Sequence, residues 1–178
     1  IELQTDYAST SGGAIGTAFS ALNKVTLNQI PPIKISEVSL GKTGNTEDEF
    51  IELYNTGEFP VDLSKLPLNL YLFNSAGGAG NKTLTFYNSV IPKFGFFLIT
   101  SQTNYRGSVT PDAVYTTLSG NTLVSNGGLS VATSSTVANA SSTKLDMLCW
   151  GSQPAAICEG SNPQLSDLGV DTSLERKA

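Results

Sequence analysis

No histidine occurs in the 178 residues, so the chain by itself assembles no Ser-His-Asp or Cys-His-Asn nucleophilic site, no His-ligated zinc or haem and no imidazole pH switch. Charge is also scarce, at 14% of residues, and there is one Met. Helix-favouring Glu, Lys, Arg and Met are therefore few, and an all-helical fold is not expected. The ten Lys and Arg are scattered against fifteen Asp and Glu, giving a net charge of −5 and a pI near 4.6. Nucleic acid and anionic membrane surfaces both call for clustered cations, so neither is an expected partner. Long apolar runs are missing too. Stretches such as Phe94–Thr100 fall far short of a bilayer span, and the chain is expected to be soluble.

What is present is Ser and Thr at 40 positions, Asn at 13 and Gly at 17, a composition of turn and strand formers. The length suits one domain with extensions, large enough to bury a core. Two cysteines, Cys149 and Cys158, flank Trp150–Ile157, whose Gly151 and Pro154 permit a reversal. A disulfide is the expected pairing and implies an oxidising compartment. The alternatives are two separate thiols or a metal pair, the latter lacking any further Cys or His. The chain opens at Ile1 without a basic and apolar leader, so an export signal is expected to have been removed or to lie outside this sequence.

Residues 1–32 form an N-terminal arm with two conflicting signals. Ile15, Ala18, Phe19 and Leu22 have helical spacing, whereas Val25 and Leu27 alternate with polar residues. Nothing in the arm buries these side chains within the arm itself, so it is expected to dock by strand addition, on its own domain or on another subunit to give a homopolymer. Pro31-Pro32 marks the boundary. From residue 33 to 152, short apolar runs alternate with turn chemistry: Ile33–Val38, Glu49–Asn55, Leu66–Phe73, Thr83–Tyr87, Phe94–Thr100, Val114–Leu118, Leu129–Thr133 and Leu145–Trp150. The clearest places Ile51, Leu53 and Asn55 on one side and Phe50, Glu52 and Tyr54 on the other. Gly77–Gly80, Asn104–Gly107 and Asn126–Gly128 break the runs, and Asn126-Gly127 is a hairpin signal. The pattern predicts an all-β, mainly antiparallel sandwich. Residues 153–178 form a C-terminal extension that wraps the domain or leads onward.

The ordered series Ile35-Ser-Glu37, Glu49–Asn55, Val61-Asp-Leu-Ser64, Val90–Ile99, Leu123–Val131 and Leu145–Gly151 resembles the lamin tail domain family of nuclear lamins and bacterial extracellular proteins. The resemblance covers about two thirds of the chain. It implies an immunoglobulin-like β-sandwich and a non-catalytic role outside the cell. The segment around Gly77–Lys82, the Cys-bracketed extension and the arm depart from it. A nuclear lamin is disfavoured, because there is neither a heptad-bearing rod nor a basic localisation cluster.

Candidate chemistry is sparse. Asn45–Glu49, with Asp62, offers oxygen ligands for calcium but lacks EF-hand spacing, so a solvated loop is expected there. Glu49 and Glu52 are expected to pair with backbone amides or a Lys, and Asp62 to cap a turn. Glu37, Glu49 and Glu52 as glycosidase carboxylates lack an aromatic cleft. Gly57, Gly95, Gly127 and Gly128 suit positive φ or close packing. Phe94, Phe96 and Phe97 read as core rather than a binding platform. Asn81-Lys-Thr83 and Asn139-Ala-Ser141 match the N-glycosylation pattern, a frequent coincidence in such a composition. No catalytic, cofactor or metal residue is assigned. The expected function is a non-catalytic extracellular or cell-surface structural or adhesive module. The alternatives are a fibre subunit polymerising through its arm and an accessory domain of a larger exported enzyme.

Overall fold

The computed structural model describes residues 31–45, 48–66, 68–74, 79–102, 105–116, 123–133, 144–153, 158 and 169–176. The arm 1–30, and with it the expected docking by strand addition, lies outside the described residues, as does Asn139-Ala-Ser141. Among the described residues there are twelve strands and no helix: β1 (Ile33–Ser39), β2 (Phe50–Asn55), β3 (Val61–Asp62), β4 (Asn69–Phe73), β5 (Ala79–Lys82), β6 (Leu84–Phe86), β7 (Val90–Ile91), β8 (Phe96–Ser101), β9 (Ala113–Tyr115), β10 (Gly127–Ala132), β11 (Lys144–Trp150) and β12 (Ser173–Glu175). They form a six-stranded sheet in the order β12-β1-β2-β8-β9-β6, a four-stranded sheet β11-β10-β4-β5, and the pair β3-β7. The fold is a β-sandwich.

Alternation explains the larger sheet. In β2, Ile51, Leu53 and Asn55 are buried while Phe50, Glu52 and Tyr54 are half-buried, as the sequence pattern predicts. In β1 the inward residues are Ile33, Ile35 and Val38, a spacing of two and then three. The extra residue, Ser36, forms a β-bulge opposite β2, where the register shifts between Ile35 and Glu37. One neighbouring pair, β8 and β9, runs parallel. The chain passes between sheets at Thr83, with β5 in one and β6 in the other. A shared core of Ile35, Leu53, Phe97 and Ile99 from one sheet and Leu70, Leu72, Leu129 and Val131 from the other fills the gap. Fully burying one such side chain contributes roughly 1.5–3 kcal/mol.

The smaller sheet is buried on both faces. Its outer face carries Tyr71, Phe73, Ala132, Met147 and Cys149, all buried together with Cys158. Cys149 and Cys158 are joined in a disulfide, their Cα atoms 5.4 Å apart. By the chain-entropy relation so short a loop contributes about 2.5–3 kcal/mol. Reduction is therefore expected to lower the unfolding temperature and to raise the binding of a hydrophobic dye as Tyr71, Phe73 and Met147 lose cover. Equal melting curves with and without reductant would refute this role.

Two expectations are corrected by the strand pairing. Asn126-Gly127 does not turn a hairpin: β10 pairs with β4 and β11, and the strand before it, β9, belongs to the other sheet. Gly127 instead sits where a Cβ would lie 2.7 Å from the Phe73 carbonyl oxygen. Gly127→Ala is accordingly expected to cost about 1–3 kcal/mol by overpacking, read as a lower denaturation midpoint, and an unchanged midpoint would refute it. The Gly77–Gly80 break is shorter than expected, since β5 begins at Ala79 and pairs with β4. The C-terminal extension, which carries no strand signal, supplies β12 at the edge of the larger sheet, with Leu174 opposite Val38.

Candidate functional site

Aspartate 146 lies on β11 between Leu145 and Met147, with its side chain only 1% exposed. Among the described residues β11 is the edge of the smaller sheet, and β12 covers β1 only from Glu37 to Ser39, so the first half of β1 is an edge as well. The Asp146 carboxylate closes this seam. Its Oδ2 accepts the Ile35 N–H at 2.7 Å, and Lys34 Nζ and Arg176 Nη2 each approach to 3.2 Å. One carboxylate thus joins β1, β11 and the residue following β12, at a place where no strand among the described residues pairs with β1. Buried charge persists only when paired and hydrogen-bonded, and this one is both. Asp146 belongs to the segment that resembles the family's closing strand, but its role as a seam carried no local signal.

The acidic loop before β2 does not behave as a solvated loop. Glu47 lies outside the described residues, but Asp48 and Glu49 are both buried, which corrects the sequence reading. Asp48 Oδ1 accepts the Arg106 N–H at 2.7 Å, and Lys42 Nζ lies 3.7 Å from Oδ2. Glu49 continues the inward alternation of Ile51 and Leu53. It accepts the Tyr115 hydroxyl and, at 3.0 Å, the Leu123 N–H. A backbone amide is thus one of its partners, as expected. Lys82 is buried nearby; burial lowers its pKa and the charge of Glu49 opposes the shift. Burial raises the Tyr105 hydroxyl pKa, and the Asp48 charge adds to this.

The remaining sequence candidates are dispersed. Glu52 accepts the Ser36 hydroxyl at 2.6 Å. Glu37 pairs in register with Glu52 on one side and Glu175 on the other, on the outer face, while Glu49 points into the core, so the three proposed glycosidase carboxylates do not converge. Asp62 caps its turn, as expected, by accepting the Ser64 N–H at 3.0 Å and the Ser64 hydroxyl at 2.6 Å. These bonds hold its carboxyl below the ordinary value. Among the described residues no three His, Cys, Asp or Glu are grouped to hold a metal. Phe97 is fully buried, as read from the sequence. Phe94 and Phe96 are not core: they are 51% and 58% exposed.

An open groove of about 230 Å³ lies where β1 ends and β2 begins, lined by Glu37, Ser39, Lys42, Phe50 and Asp171 among others. This is below the usual range for a small-molecule pocket. Its aspartate is already engaged. Asp171 accepts from both the hydroxyl and the N–H of Thr43, bonds that hold its carboxyl low. Its φ of 62° places it in the left-handed turn beside Gly41, whose carbonyl accepts the Asp171 N–H at 2.8 Å. The chemistry of these clusters is the closure of seams and turns. No family model, no curated protein and no solved structure matches this chain.

Proposed function

We propose that this chain is a non-catalytic structural or adhesive module acting outside the cell, built on an immunoglobulin-like sandwich akin to the lamin tail domains that its motifs resemble. The observation that carries this reading is the use made of its buried carboxylates. Asp48, Glu49 and Asp146 each accept a backbone N–H from a distant part of the chain, and none of them lines the open groove. A carboxylate held this way positions strands and is unavailable to a substrate. The Cys149–Cys158 bond supports an oxidising location, and among the described residues no helix is long and apolar enough to cross a membrane. A fibre subunit is the second reading, favoured by the exposed apolar side chains at the end where the arm joins the sandwich.

Immunogold electron microscopy on the native source tests this. Label on the cell surface or in extracellular material is expected, as discrete particles for a surface module and as continuous filaments for a fibre. Cytoplasmic label, with Cys149 and Cys158 recovered as free thiols, would overturn the proposal.

A further inference from the structure

Among the described residues, the exposed large hydrophobic side chains gather at one end. β1 begins, β2 ends, β8 and β9 begin and β6 ends at the same end of the larger sheet. At that end lie Phe59 in the loop after β2, Tyr87 after β6, Phe94 and Phe96 at the entry to β8, and Val109 before β9, at 78%, 66%, 51%, 58% and 61% exposure. Among the described residues only one exposed large hydrophobic, Val170, lies elsewhere. Asn55 holds two of the loops side by side, its Nδ2 donating to the Phe59 carbonyl at 2.8 Å and to that of Pro92 at 3.0 Å. Tyr54 braces Phe96, their ring centroids 4.9 Å apart. The Phe96 ring is therefore braced, and the loops carrying Phe59 and Phe94 are tied together through their backbones. Clustered, rigidly held aromatics exposed to water mark an association surface.

We propose that this end is the face by which the chain meets a second copy of itself in a two-fold contact. Two features point to that occupant. Glu58 precedes Phe59 and Lys93 precedes Phe94; both are exposed, and neither makes an ion pair within the described chain. Two adjoining loops carrying opposite charges beside aromatic rings are self-complementary, because a two-fold axis sets Glu58 of one copy against Lys93 of the other. The second feature is the root of the arm. Pro32 accepts the Thr56 N–H at 2.8 Å and touches Gly57, where a Cβ would lie 2.4 Å from the proline ring. Thirty residues carrying Ile15, Phe19, Leu22, Val25 and Leu27 thus join the sandwich at the rim of this face.

Light scattering and sedimentation of the full chain over a range of concentrations test the face. The wild type is expected to shift from monomer toward dimer. Phe59→Ser with Phe94→Ser and Phe96→Ser is expected to weaken association at least about tenfold. These side chains are more than half exposed, so the melting curve of the variant should match that of the wild type; Phe59→Ser alone serves if it does not. Glu58→Lys should weaken association, and Glu58→Lys with Lys93→Glu should restore it. A wild type that stays monomeric, an aromatic variant that associates like the wild type, or a charge exchange that restores nothing would overturn the proposal. Each of these results leaves the structural-module reading standing, since that reading rests on location and on the buried carboxylates.

Discussion

Asp146→Ala is expected to destabilise the protein by about 3–5 kcal/mol, the range found when one partner of a buried charge pair is removed. The substitution removes the acceptor of the Ile35 N–H and leaves that amide unpaired at the open edge of β1. It also takes one ion-pair partner from Lys34 and from Arg176. At 40% and 33% side-chain exposure these two can turn to water, so most of the loss belongs to the orphaned amide and the parted sheets rather than to the cations. For a domain of this size the melting temperature should fall by roughly 6–20 °C. Asp146→Asn keeps an acceptor for Ile35 and should lose less. Chemical and thermal unfolding followed by circular dichroism reads both variants. A loss under about 1 kcal/mol for Asp146→Ala would show that the two sheets hold together without this seam.

Glu49→Ala should be nearly as severe, at about 2–5 kcal/mol. The side chain is fully buried, and its removal takes this acceptor from the Tyr115 hydroxyl and the Leu123 N–H, an orphaned buried amide alone costing roughly 1–3 kcal/mol. Lys82 also loses the nearby negative charge that offsets its burial. Tyr115→Phe removes the hydroxyl's bond to Glu49 but keeps that of the Leu123 N–H, and should cost less than Glu49→Ala. Because the two residues touch, the double variant should lose less than the sum of the singles. Strict additivity in that cycle would separate Tyr115 from Glu49 and refute the shared cluster.

The contrast between β2 and the acidic residues before it shows how far local pattern reaches. Ile51, Leu53 and Asn55 announce an inward face because strand side chains alternate with a period of two, a property of six consecutive residues. Glu49 obeys the same alternation. Its charge, however, reads as solvated until Tyr115 and Leu123, 66 and 74 positions away, are seen to meet it. Phe96 and Phe97 make the same point from the apolar side. Neighbours in sequence, they face opposite sides of the sheet, one 58% exposed and the other fully buried, and composition alone placed both in the core.

By itself the sequence determined the all-β class, the approximate positions of the longer strands, the exclusion of histidine chemistry and the expectation that the only two cysteines pair. Each of these depends on side-chain type, on period-two alternation or on a loop of nine positions, all of which are local. Tertiary structure alone decided that β8 and β9 run parallel, that β12 returns to pair with β1, that Asp146 closes the seam at Ile35 across 111 positions, and that one end of the sandwich gathers the exposed aromatics. The reason is physical: alternation specifies which face of a strand is buried but not which edge it meets. A buried charge is tolerated only where a distant chain segment supplies its partner, and that segment is fixed when the two sheets close on each other.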